Sequence, residues 1–237
     1  EGEEELGSPS LPGFVDEYKE RLEADFAFFP FYAQDQNGKP VMYLGVKGIL
    51  FMELIAQGSD WGGPTTRSIH GSNAVWFDNP AWVLVQALAS MTTPDQKHIL
   101  LDNFYDDILP PSAEDEKLLT LLADTFTPET ELDENDIRRF KYDLTGVDLL
   151  RKYLYQPTLN IDGIISGHTE AGSKTLVPYE ARAKIDIRMV PNMRPERMLQ
   201  LVQDHLDKHG FGDKIRIEPY GNQYPPAKTG LAGNPAS

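Results

Sequence analysis

Two rhythms of apolar residues run through this chain. Between Leu176 and Val190, Ala181, Ala183, Ile185 and Ile187 alternate with Arg182, Lys184, Asp186 and Arg188. A period of two over that length predicts a strand with one buried and one polar face. Val41 to Ala56 is also apolar and β-rich, but Gly45 and Gly48 interrupt it, which predicts two short strands or one bent one. Thr158–Ile165 and Lys214–Glu218 read as two further strands. The helical rhythm appears twice beside them. Asn79 and Pro80 form a helix start, Asn as cap and Pro at the first helical position, and Leu84, Ala87, Leu88 and Met91 follow on one face. Pro195 to Lys208 turns Met198, Val202 and Leu206 inward and stops at Gly210.

The order is β-α-(insertion)-β-β-α-β. It predicts an α+β fold of the ferredoxin-like plan, a four-stranded antiparallel sheet with two helices on one face and a helical insertion. The insertion, at about 94–156, carries helical signals of its own. Ser112 and Asp115 have the spacing of a capping box ahead of Leu118, Leu119 and Leu122, and Val147, Leu150 and Leu154 mark another apolar stripe. Towards the start, Leu11 to Leu22 reads as a short helix, Ala24 to Tyr32 as an aromatic-rich strand, and Asn37–Gly38 as a tight turn. Gln57 to Asp78 reads as a loop rich in Gly, Ser and Thr.

The 237 residues suffice for one large domain and a sizeable core. With 37 acidic against 22 basic residues the net charge is −15, which repels nucleic acid and keeps the chain soluble. The absence of cysteine removes disulfides, thiol nucleophiles and thiolate metal sites, and favours a cytoplasmic origin. No apolar run reaches the roughly 20 residues of a membrane helix, and no signal peptide is recognisable. The chain opens on Glu1 without a methionine and reads as a fragment of a longer polypeptide.

Four stretches carry candidate chemistry. Glu4 and Glu5, within an acidic run at the end of an expected strand, would repel each other unless a cation or proton were shared. An acidic terminus is more often a solvated tail. His70 sits among small residues in Thr65–Asn73, where a loop histidine is idle more often than it is functional. Thr175 stands at the exit of a glycine-punctuated hairpin running from Gly163 to Pro178, where its hydroxyl could reach a ligand or simply belong to a turn. Arg188, on the polar face of the alternating strand, could clamp a carboxylate bidentately or join a surface ion pair.

Taken in this order, these motifs resemble the zinc metallopeptidase family that includes carnosinase, aminoacylase and acetylornithine or succinyl-diaminopimelate deacylases. Glu4-Glu5-Leu6-Gly7-Ser8 resembles that family's paired glutamates followed by Gly-Ser. Ser68-Ile69-His70-Gly71 with Asn79-Pro80 is similar to its lid histidine motif. Gly172-Ser173-Lys174-Thr175 through Pro178, with Arg188-Met189-Val190-Pro191, is similar to its later signature. The insertion, with Phe104-Tyr105-Asp106-Asp107 leading to Pro110-Pro111, is similar to that of the carnosinase-like dipeptidase branch. The resemblance implies a dimerising lid at 46–220, a remnant of a catalytic domain at 1–45 and a linker back to it at 221–237. It implies Glu4 as general base, Glu5 as zinc ligand, His70 as oxyanion stabiliser in a partner subunit's active site, and Thr175 and Arg188 as substrate-binding residues. It also implies a homodimeric parent with two zinc ions that hydrolyses a peptide or N-acyl amino acid through metal-bound water.

Three departures accompany the resemblance. The family's upstream histidine and bridging aspartate, and its histidine after the lid, are not in this sequence, so the chain alone is expected to be inactive. Counting from Asp25, the next acidic ligand falls at Phe31, which cannot bind a metal. That residue favours a second reading, a non-catalytic dimerisation or binding module whose parent has a degenerate metal site. The lid motif reads His-Gly-Ser in place of His-Ser-Gly.

Overall fold

The protein is represented by a computed structural model that describes residues 2–25, 33–34 and 38–231. The aromatic run before Tyr32, the Phe31 position and Asn37 of the expected turn lie outside the described residues. A 3-10 turn at Glu4–Leu6 leads to α1 (Leu11–Glu17) and α2 (Lys19–Leu22), which divide the expected single helix at Tyr18. Next come β1 (Gly45–Val46), β2 (Gly48–Gln57), β3 (Ile69–His70), a 3-10 turn at Gly71–Val75 and α3 (Pro80–Ser90). The insertion folds as α4 (Ala113–Ala123), α5 (Pro128–Glu134) and α6 (Gly146–Tyr155). After it follow β4 (Thr158–Ser166), β5 (Leu176–Val177), β6 (Glu180–Met189), α7 (Pro195–Lys208), β7 (Ile215–Pro219) and β8 (Ala227–Lys228).

Four of these strands form one antiparallel sheet in the order β4-β6-β2-β7. β2 and β6 run the whole length of each other, from Gly48 opposite Met189 to Gln57 opposite Glu180. This register follows from burial. Leu50, Met52, Leu54 and Ala56 share a face with Ala181, Ala183, Ile185 and Ile187, and a slip of one residue would turn both sets to solvent. On that face α3 lays Leu84, Ala87 and Leu88, and α7 lays Met198, Val202 and Leu206, all in one contiguous core. Each leucine, valine or methionine among them contributes roughly 1.5–3 kcal/mol by leaving water. The helix starts agree with the sequence: Asn79 Oδ1 accepts the Ala81 N–H at 2.9 Å, and Pro195 opens α7.

The insertion reads partly differently. Its capping box is present, with the Ser112 hydroxyl accepting the Asp115 N–H and the Asp115 carboxylate accepting the Ser112 N–H. Of the expected leucines on α4, however, only Leu119 is buried. On α6 the buried pair is Leu149 and Leu150, while Leu154 is exposed, because α6 packs sideways on α4 and is fixed there by Arg151. Its Nε and Nη2 meet both carboxylate oxygens of Glu116 at 2.9 and 2.7 Å.

Entry to and exit from this unit lie side by side. β1 pairs antiparallel with β8, Gly45 opposite Lys228 and Val46 opposite Ala227, forming a two-stranded stem. Two glycines make the approach possible: a Cβ on Gly45 would stand 2.6 Å from the Ala227 carbonyl oxygen, and one on Gly48 would stand 2.5 Å from Pro226 N.

Candidate functional site

The glycine-rich loop after β2 does not remain a loop. Ile69 and His70 pair antiparallel with Val177 and Leu176, so β3 and β5 form a small ribbon that brings together residues more than a hundred positions apart in the chain. Gly71 is the point of closest approach: its N–H donates to the Thr175 carbonyl at 3.2 Å, and a Cβ there would stand 3.1 Å from Leu176 N. His70 Nε2 therefore lies 3.5 Å from Thr175 Oγ1, with both residues exposed. Around the imidazole, Ser72 Oγ lies 2.8 Å from Nδ1, the Ser72 N–H donates to Nδ1 at 3.2 Å, and Asn73 Nδ2 donates to the His70 carbonyl at 3.2 Å.

Arg188 occupies the other end of β6. It stands eight residues beyond Glu180, roughly 26 Å along an extended strand. Its Nε bonds to Asp186 Oδ1 at 3.2 Å, which leaves the Nη edge of the guanidinium for a second carboxylate. Asp186 is itself buried and accepts from Asn160 Nδ2 at 3.1 Å, and the same amide donates to Asp162 Oδ1 at 2.9 Å. Asp162 is the extra residue of a bulge between Ile161 and Gly163. Burial first, then a hydrogen bond and the charge of Asp186, push its carboxyl above the usual range. Just after the entry strand, burial and then the Arg188 charge push the Lys47 ammonium down to about 8.

Glu4 and Glu5 lie in an exposed 3-10 turn, which corrects the expected strand end. This turn is held by its neighbours. Glu3 accepts the Ser10 N–H at 3.0 Å, and Asn222 Nδ2 donates to the Gly7 and Ser8 carbonyls at 2.7 Å each. Among the described residues no three His, Asp or Glu side chains converge as a metal site would need. Glu5 has no second and third ligand beside it among the described residues. A polar cleft of about 400 Å³ beside β7 is lined by Gln57, Trp61, Gln203, Lys214 and Arg216, and none of the five candidate residues lines it.

The pattern of residues thus singles out one juxtaposition, His70 with Thr175, and a separate arginine. Ser72, Asp186, Asn160 and Asp162 were missed by sequence reasoning. For Asp186 a signal existed, since it shares the polar face of the alternating strand with Arg188 two positions on.

Compared with known proteins, residues 45–214 match the peptidase dimerisation domain. This chain belongs to that family. The beta-Ala-His dipeptidase of Homo sapiens is 27% identical to it over 211 residues, covering 87% of this chain and 39% of that relative. The Cys-Gly metallodipeptidase DUG1 of Saccharomyces cerevisiae is 29% identical over 169 residues, covering 71% of this chain and 33% of that relative. Among solved structures, an M20 family metallo-carboxypeptidase, Sso-CP2 from Sulfolobus solfataricus, superposes with a TM-score of 0.87 at 32% identity, over 98% of this chain and 50% of that one. The chain therefore spans well under two thirds of the length of the curated relatives it matches. The resemblance to the metallopeptidase family stands, and so does the mixed helix-and-sheet architecture around a four-stranded antiparallel sheet. Among the described residues no helix is long and apolar enough to cross a membrane.

Proposed function

We propose that this chain is the substrate-gripping and dimerising lid of a dinuclear zinc metallopeptidase, a dipeptidase or N-acyl amino acid amidohydrolase. The strand order fits the ferredoxin-like plan expected from the sequence. The observation that carries the reading is the β3–β5 ribbon, which sets the His70 imidazole beside the Thr175 hydroxyl on an exposed edge. In this reading His70 donates to the oxygen that gains charge when the amide carbonyl is attacked, Thr175 binds the substrate backbone, and the Nη edge of Arg188 binds its terminal carboxylate. With the ribbon ahead of the first end of β6 and Arg188 near its last, the arrangement fits two protomers contributing to one site: His70 serves the partner's active site and Arg188 its own. The exposed run Val75-Trp76-Phe77, at the far end of the 3-10 turn that follows His70, supports this by offering an apolar surface for the partner to cover. Glu4 as general base and Glu5 as zinc ligand complete the proposal, and the remainder of the site and both zinc ions belong to the parent.

The test uses the full-length parent. H70Q should lower kcat and kcat/KM together by about 10²–10³, the cost of losing an oxyanion donor, while R188M should act mainly by raising KM. H70Q with unchanged kcat/KM overturns the reading. Phe31 favours the alternative of a non-catalytic module, and metal content separates the two: about two zinc ions per parent subunit support the enzyme, fewer or none support the module.

A further inference from the structure

Histidine can present either a proton or a lone pair at Nε2, and the difference decides what it can bind. The surroundings of His70 fix the choice. It is the N-cap of the 3-10 turn Gly71–Val75, with extended backbone at φ −62° and ψ 135°, and its ring nitrogen takes the place a serine or aspartate oxygen usually holds. The group facing Nδ1 is the Ser72 main-chain N–H, 3.2 Å away. A main-chain N–H can only donate, so a proton on Nδ1 would point at another proton. The Ser72 hydroxyl, 2.8 Å from the same nitrogen, can turn its hydrogen to that lone pair, in the same sense as the main-chain N–H.

We infer that Ser72 is a positioning residue that holds His70 as the neutral Nε2–H tautomer, so that the ribbon offers hydrogen-bond donors to a ligand oxygen. The consequence reaches Thr175. With Nε2 protonated, the imidazole is the donor towards Thr175 Oγ1 at 3.5 Å, and the threonine's own hydrogen turns outward. When a ligand oxygen replaces this long contact, the imidazole N–H and the threonine O–H supply one donor each on the same exposed edge, suited to a carbonyl oxygen or oxyanion. The order His-Gly-Ser follows from the same geometry. Gly71 occupies the close approach where a Cβ would press on Leu176 N and on the Thr175 carbonyl carbon at 3.1 and 3.2 Å, and the serine falls one position later, where its N–H and hydroxyl meet the ring. This inference rests on the reading of His70 and Thr175 as a recognition pair, and deepens it by naming the chemical class of the group recognised.

The experiment is a nitrogen NMR spectrum of this chain labelled with [¹⁵N]histidine, recorded near pH 8, with H70Q identifying the His70 signals. The expected spectrum has a pyridine-like Nδ1 and a pyrrole-like Nε2 for His70, without the averaging of a free imidazole. S72A, which retains the main-chain N–H, should keep that pattern; S72P, which removes both donors, should return His70 to the free-imidazole mixture. An averaged or Nδ1–H signal in the wild-type chain overturns the inference, with no variant required, and leaves the proposed role of His70 untouched. The converse result, a fixed Nε2–H tautomer with H70Q fully active in the parent, removes the catalytic reading alone.

Discussion

Lys228 Nζ lies 2.6 Å from Asp115 Oδ2, so the exit strand of the stem is tied to the first helix of the insertion. Lys47, beside the entry strand, is tied to the last helix in the same manner: its ammonium donates to the Tyr153 and Gln156 carbonyls at 2.5 and 3.0 Å. Each lysine also lies over a tyrosine ring, Lys47 5.4 Å from that of Tyr153 and Lys228 5.7 Å from that of Tyr155. The insertion thus grips both ends of the stem.

Asp115 is the member of this arrangement whose loss should cost most, because its carboxylate is buried. Burial opposes its ionisation, yet the Lys228 ammonium and the Ser112 N–H and hydroxyl outweigh it and hold the carboxyl at about 2. A folded-state value below the unfolded 3.9 means that the stabilisation is complete above about pH 4 and is lost as pH falls towards 2. D115N keeps an oxygen for the Ser112 cap but loses the charge. It should cost about 1–3 kcal/mol at pH 7, and urea midpoints of the two proteins should converge as pH is lowered through that window.

How far the sequence could be read depended on the length of each pattern. β6 and α7 span ten and fourteen residues, enough for a period of two or 3.6 to be unmistakable, and Asn79-Pro80 and Ser112–Asp115 declared their caps directly. The β3–β5 ribbon left no such trace. Two-residue strands carry no period, and their register depends on a tertiary approach at Gly71 that no local pattern records. Leu149 in place of Leu154 was misjudged for a related reason: α6 packs on α4 and not on the sheet, so the buried stripe lies elsewhere on the helix. Among the candidate site residues, His70 and Thr175 meet in space, whereas the coupling of Arg188 to Asp186 was visible only as two residues on one strand face.

His205 makes folding sensitive to mild acid. It is buried in α7, with Nε2 2.9 Å from Ser90 Oγ and its ring 4.2 Å from that of His209. Burial first, then the neighbouring His209, lowers its affinity for a proton. The unfolded chain, titrating near 6.5, binds that proton more readily, so stability is complete above about pH 6.5 and declines as pH falls below it. Urea midpoints of the wild type should therefore drop between pH 7 and pH 5, and H205Q, which keeps a hydrogen-bonding group without the titration, should flatten the drop. Parallel profiles would show that His205 does not set the slope.

Asp162 and Asp186 repel each other across β4 and β6, and Asn160 mediates between them. Because the folded state holds the Asp162 proton more tightly than the unfolded chain does, its contribution is present at low pH and is lost as pH rises through the raised value. D162N removes the repulsion while keeping an oxygen to accept from Asn160 at the bulge. It should stabilise the protein at pH 7 by on the order of 0.5 kcal/mol, the scale of a cross-strand charge pair. The gain should vanish under acid, as measured by thermal unfolding at both pH values.

The last prediction concerns the surface by which two copies would meet. β4 is an outer strand of the sheet, so its far side presents main-chain N–H and C=O groups, and Ile161, Ile164 and Ile165 on it are exposed. Such an edge invites another strand, and edges that stay solitary usually carry charge or proline. This one carries three exposed isoleucines, with its one charge, Asp162, confined to the bulge. The helix layer continues the same surface, because α3, which packs over β6 and β2, exposes Trp82 and Val85. An antiparallel pairing of two β4 edges about a two-fold axis would put like surface on like, as a closed dimer requires. Because Ile164 is exposed, I164K should leave the fold intact while setting two ammonium groups against each other across the axis. Analytical ultracentrifugation at tens of micromolar should then find a dimer for the wild-type chain and a monomer for I164K, with matching circular dichroism. A monomeric wild type overturns self-association of this unit, and a dimer unaffected by I164K moves the interface away from β4.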